Sequence, residues 1–184
     1  MRRILRILGL SVALVLGLTA SVFAYFAYTR FVRYQPAVDK IYENIPQEDR
    51  HFSTSARRVL TTTEADSART YYVSVCLLAE VAPARVRMGE WHFRNALWVW
   101  LLPRRFDPEQ RLLLFAHFLP LEGGSGLAYG ARKYFGKAAS QLNEAETLQL
   151  VAISRSPRAF SPSQHPDRFR QRLKLITERY RAAG

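Results

Sequence analysis

Cysteine is almost missing from this sequence of 184 residues: Cys76 stands alone, so no intramolecular disulfide can hold the fold. The lone thiol does not fix the compartment, because many exported proteins also lack disulfides. Histidine is scarce as well. His51, His92, His117 and His165 are scattered without metal-ligand spacing, so neither a metal nor a cofactor is expected. No phosphate-binding glycine motif, Ser/His/Asp ordering, internal repeat or low-complexity tract is present. Acidic residues are in deficit, 15 against 27 Lys and Arg, which leaves a net charge of +12. Such an excess favours anionic partners: nucleic acid, anionic lipid head groups or pyrophosphate-bearing substrates. Hydrophobic residues make up 48%, enough for a core and too many for global disorder.

The N-terminus chooses among those partners. Residues 7–28 (ILGLSVALVLGLTASVFAYFAY) form an uncharged, mostly apolar run. About 20 residues of helix span a bilayer's hydrocarbon core, so the run is long enough. Arg2, Arg3 and Arg6 precede it, and Arg30 and Arg33 follow. Tyr25, Phe26, Tyr28, Phe31 and Tyr34 supply an aromatic belt at its far end. The positive-inside rule puts the N-terminus in the cytoplasm by a narrow margin of charge, and the rest of the chain on the outer face of the cytoplasmic membrane. A cleavable signal peptide is the rival reading, but Val22-Phe23-Ala24 makes a poor cleavage site and an uncleaved anchor is favoured. With the domain outside, no nucleic-acid partner is expected.

The division that follows is an anchor over 1–34, a connector and start of the domain over 35–69, and a helical domain over 70–184. Pro36 and Pro46 are expected to interrupt helix formation in the connector. Residues 53–69 are polar, rich in Thr and Ser, and show no strong period. Residues 70–81 (TYYVSVCLLAEV) are an ambiguous helix, because their β-branched residues also allow a strand. From Met88 a Trp-rich helix is expected, with Trp91, Trp98 and Trp100 either in the core or at the bilayer surface, and Pro103 ending it. Asp107-Pro108-Glu109-Gln110 reads as a fresh helix start with a capping box. Helices are expected over 127–135, from Asn143 (capped through Glu146) and from Pro166. The fold class is therefore mainly α.

One stretch carries a likeness. "ARKYFGKAASQLNEAETLQLVAISRSPRAFSPSQHPDRFRQR" resembles the final motif region of the peptidoglycan glycosyltransferases, glycosyltransferase family 51. The matching positions are Arg132, Tyr134-Phe135-Gly136-Lys137, Leu142, Glu146, Leu150, Ala152, Pro157, Pro162, Pro166 and Arg172, in order over about forty residues. Gly123 or Gly124, with Gly126, sits where that family has its glycine loop. The resemblance implies a lysozyme-like helical domain behind a transmembrane helix, on the outer face of the cytoplasmic membrane. Its expected partners are lipid II or another lipid-linked glycan, the membrane, and cell-wall synthesis proteins.

Chemistry makes further demands. The family needs a general base for the acceptor hydroxyl, and a second carboxylate with Lys and Arg residues around the pyrophosphate leaving group. Its base opens a Glu-Asp-x-x-Phe-x-x-His motif. Here Glu48-Asp49-Arg50-His51-Phe52 fits, with Ser55 where histidine is expected. The second carboxylate falls on Leu112 when the chain is aligned without gaps from Tyr134, and Leu can neither polarise nor accept a proton. The Arg-Lys-x-x-Glu motif falls on Glu90 to Arg94, with its charges reordered and Trp91 inside it. Glu48 is the candidate catalytic base. Glu122 is a substitute acid or an ordinary loop glutamate. Gly123, Gly126, Arg132, Lys133 and Lys137 are the substrate-binding candidates, their basic members otherwise a solvated face drawn to anionic lipid. Three functions follow: a divergent family 51 domain with weak or lost catalysis that binds lipid-linked glycan or a partner, an active polymerase using Glu48, or an unrelated basic membrane adaptor. A topology reporter tests the first two against the third. Alkaline phosphatase fused after Gly184 should be active in cells, and a cytoplasm-dependent fluorescent reporter at the same place dark; the reverse pattern removes the outer-face assignment.

Overall fold

Helix α1 (Arg2–Arg30) holds the whole apolar run and is long and apolar enough to cross a membrane, with none of its apolar window buried. Ile7, Leu10, Leu14 and Leu18 all face outward, the pattern of a helix solvated by lipid. The computed structural model describes residues 2–82 and 87–183, with side chains from Arg6 onward, so the Arg2 and Arg3 side chains in the charge comparison lie outside the described residues.

The connector is more helical than its prolines suggest. Helix α2 (Gln35–Glu43) begins at Pro36 rather than stopping there, because a proline in the first turn sacrifices no intrahelical hydrogen bond. Pro46 caps the one-turn helix α3 (Gln47–Arg50). The Thr- and Ser-rich stretch folds as α4 (Thr54–Thr63), where the Ser53 side chain accepts the Ala56 N–H at 3.0 Å and Ala56, Val59 and Leu60 are buried. Only three apolar residues, at helical spacing over little more than one turn, mark that helix in the sequence.

Helix α5 (Asp66–Val81) settles the ambiguous run as helix. It packs against α6 (Met88–Arg105) and α7 (Pro108–Phe118). Pro103 lies inside α6, which ends only two residues later, so the proline costs one hydrogen bond near a terminus and does not break the helix. Asp66 accepts from two buried arginines, Arg111 at 2.6 Å and Arg69 at 3.3 Å, tying α5 to α7. Strands β1 (Pro120–Leu121) and β2 (Gly124–Ser125) form a short antiparallel hairpin between α7 and α8 (Leu127–Phe135). Helix α9 (Glu144–Ser154) is central: Leu148, Leu150, Val151, Ala152 and Ile153 are all buried, and α4 and α10 (Pro166–Ala183) cover it. The fold is mainly helical, consistent with a lysozyme-like helical domain behind an apolar N-terminal helix.

Both capping boxes form as the sequence requires, Asp107 with Gln110 and Asn143 with Glu146. Asn143 accepts the Glu146 N–H at 2.9 Å, while Glu146 accepts the Asn143 N–H at 3.0 Å. Replacing Asn143 by Ala should lower stability by about 1 kcal/mol. Urea unfolding of the detergent-solubilised chain, followed by circular dichroism, should show a lower midpoint at unchanged slope.

Candidate functional site

The two carboxylates of the Glu-Asp motif sit on α3 and point to different tasks. Asp49 is buried. Its Oδ1 accepts the backbone N–H of Ala128 at 3.1 Å, in the first turn of α8. Its Oδ2 lies 2.8 Å from Nδ1 of His117, which in the Nδ1–H tautomer donates to it. Helix α8 has no side-chain cap of its own, since Gly126 occupies the capping position with φ +104°. Asp49 fills that role from 79 positions away, where the positive end of the helix dipole also favours a carboxylate. A Cβ on Gly126 would sit 3.3 Å from both Asp49 oxygens and from the His117 carbonyl, on a backbone that side chains rarely adopt. Glycine at 126 is therefore what lets Asp49 reach the helix.

Glu48, one residue earlier, is exposed and clasped by Arg132 of α8. Arg132 donates Nη2 to Oε1 at 2.6 Å and Nη1 to Oε2. The hydrogen bonds from Arg132, with its charge, hold the Glu48 carboxyl below the usual glutamate range. A depressed carboxyl is a weaker base, so in this geometry Glu48 is an anion holding a guanidinium.

The other candidate side chains are engaged as well. Lys133 donates to the Glu122 carbonyl and lies 5.6 and 5.5 Å from the Tyr129 and Tyr134 ring centres. Lys137 donates to Glu146 at 2.6 Å. The Glu122 carboxylate accepts from Ser161 at 3.0 Å and Gln164 at 3.1 Å, so it anchors the proline-rich exit to the hairpin. Gly123, with φ +81°, forms the hairpin turn, where the Tyr129 hydroxyl donates to the carbonyl of Glu122 at 3.0 Å. Glu48, Gly126 and Arg132 thus meet at the α3–α8 junction, Gly123, Glu122 and Lys133 share the hairpin, and Lys137 belongs to the base of α9. Leu112 is only 1% exposed and is packed in the core.

Sequence reasoning left Asp49 and His117 without a role. Asp49 was visible as the second letter of the motif. His117 carried no signal, because it meets Asp49 only through the folded chain, 68 residues apart.

The family model described as Transglycosylase matches residues 92–181. Residues 92–181 are thus similar to a transglycosylase domain, in divergent form. The chain is 31% identical over 101 residues to penicillin-binding protein 1A of Aquifex aeolicus, covering 54% of this chain and 14% of that protein. It is 40% identical over 63 residues to a provisionally named transglycosylase of Cupriavidus necator, covering 34% of this chain and 27% of that one. The matches thus span about a quarter or less of these relatives' lengths. The family match begins at His92, so Glu48 and Asp49 lie ahead of the matched segment of the transglycosylase domain.

Because the folded value of Glu48 is depressed, the pair's contribution is present above the unfolded glutamate value and is lost as pH falls through the folded one. Arg132→Gln should move the Glu48 carboxyl up toward the ordinary glutamate range, read by carbon-13 NMR titration of the side chain. An unmoved titration would mean that Arg132 does not control Glu48.

Proposed function

We propose that this chain is a membrane-anchored transglycosylase-type domain of peptidoglycan assembly that binds a lipid II-type glycan, or a cell-wall synthesis partner, with weak or lost polymerisation. The transglycosylase match supports a lipid-linked peptidoglycan precursor as the class of ligand. The length and apolarity of α1 support membrane anchoring, and the three arginines before the apolar run against two just after it support an outer-face domain by a narrow margin. Two observations support weak or lost catalysis: Glu48 is bound through both oxygens by Arg132, and Leu112, on which the second carboxylate falls when the chain is aligned without gaps, is packed in the core. Proton transfer needs a base whose basicity matches the working pH, which the arginine-lowered Glu48 carboxyl falls below, and leaving-group departure needs polar support.

A second reading has one observation behind it. Glu48 is next to Asp49, whose contact with α8 sets the glycine loop beside it, so release of Arg132 to a pyrophosphate would free the carboxylate at that loop. In this reading the chain polymerises lipid II with Glu48 as base.

The experiment is a binding and polymerisation assay of the full chain in detergent with labelled lipid II, beside Glu48→Gln. Binding without glycan product, with affinity changed less than about threefold by Glu48→Gln, is the expected result. That bound corresponds to the small contribution of an exposed ion pair. Product from the natural chain that disappears in Glu48→Gln would establish the second reading. Neither binding nor product would leave the fold alone in common with the family and point to protein partners.

A further inference from the structure

Helix α6 does not merely pack in the domain; it also runs beside α1. Phe23 meets Trp100 edge-on at 5.6 Å and Phe26 meets Phe93 at 5.4 Å. Trp98, fully buried, donates its Nε1–H to the Arg30 carbonyl at 2.6 Å. Phe93 and Trp100 nevertheless keep about half their surface open, 46% and 50%. Between the helices lies a groove of about 530 Å³, lined by Thr19, Val22, Phe23, Phe26, Phe93 and, at its mouth, Arg30 with Glu90. Its wall is apolar apart from the mouth.

The mouth is cationic. Glu90 accepts from Arg94 at 2.7 Å and pairs with Arg30 at 3.1 Å, and exposed Arg87 is the capping residue of α6, three positions before Glu90. Arg94 is buried, so of these three Arg87 and Arg30 are the accessible ones. One carboxylate among three arginines leaves net positive charge at the end of the apolar run. The groove's length gives the depth. From Arg30 back to Thr19 a helix rises roughly 16 Å, close to one leaflet, about half of a ~30 Å hydrocarbon core.

We infer that this groove holds one anionic phospholipid of the bilayer, with an acyl chain along Thr19, Val22, Phe26 and Phe93 and its phosphate at Arg30 and Arg87. The inference rests on the membrane-anchored reading above. It uses none of the residues at the α3–α8 junction, and its one-leaflet length suits an acyl chain. A bound lipid would cover the open faces of Phe93 and Phe23 and hold α6 against α1.

The test uses the full chain reconstituted in vesicles of equal phosphatidylglycerol and phosphatidylcholine, then gently extracted for native mass spectrometry. The natural chain should retain one phospholipid and prefer phosphatidylglycerol at least fivefold, the preference expected of one or more accessible arginines. Val22→Trp fills the groove at an exposed position and should cut retention at least about tenfold, with co-sedimentation and helical circular dichroism unchanged. Arg87→Gln should lower the headgroup preference about fivefold and leave the acyl chain bound. A natural chain that co-sediments with vesicles yet retains no phospholipid overturns the inference and leaves the anchor standing. Equal retention by Val22→Trp overturns it too, as does replacement of phosphatidylglycerol by lipid II when both are supplied. A chain that does not co-sediment removes the anchored reading and the inference together.

Discussion

A buried carboxylate at the start of a helix organises the candidate site. Removing a charge from water costs several kcal/mol unless it finds partners. Asp49 finds three: the Ala128 N–H, the dipole of α8 and His117. Satisfying it fixes the neighbourhood. Helix α3 is a single turn and could not persist alone in water. It is held by Asp49 on one side and on the other by Arg50, which donates to the carbonyls of Tyr42 at 2.5 Å and Ile45 at 3.1 Å. Glu48 has little freedom between those two anchors. Its place opposite Arg132 is a consequence of how Asp49 is satisfied, and so is the positive φ at Gly126.

The electrostatics of the site are inward-looking. Arg132, Lys133 and Lys137 each have a protein acceptor, in Glu48, the Glu122 carbonyl and Glu146. The excess of positive charge in the sequence therefore does not translate into free cations at this place. A pyrophosphate arriving here would have to exchange for those acceptors. The pairs that involve exposed side chains exchange at small cost, since such pairs contribute little in high dielectric. Lys137 is harder to recruit, because Glu146 also closes the capping box of α9.

Much of this was legible in the sequence where the signal is local. Asn143 and Asp107 announce their helices through residues three positions on, and the long apolar helix α1 is a matter of composition and length. Signals spread over too few residues were lost. Helix α4 hides its short buried stripe among threonines and arginines, and Pro36 and Pro103 read as breaks although one opens a helix and the other sits near an end. Trp98 and Trp100 look alike in the sequence, yet one is core and the other half open, because α1 covers only part of α6. At the site, the Glu-Asp pair could be located, but which carboxylate is buried and which is clasped depends on α8, about 80 residues later. No local pattern encodes that choice.

Ser53 donates its hydroxyl to the Leu142 carbonyl at 2.5 Å, across 89 residues, and its N–H goes to Ala139. Helix α4, which Ser53 caps, packs on α9 rather than on its sequence neighbours alone. The first segments to emerge after the long apolar helix thus wait for nearly the last. At ordinary synthesis rates of about 5–20 residues per second, that wait is on the order of 10 s. During it the apolar side of α4 lacks α9 and the carboxylate of Asp49 lacks the start of α8, with only α7 yet made to meet either. Assembly of this chain is consequently a two-step process in time, with the N-terminal helix made first and the site closed only when α8 and α9 arrive.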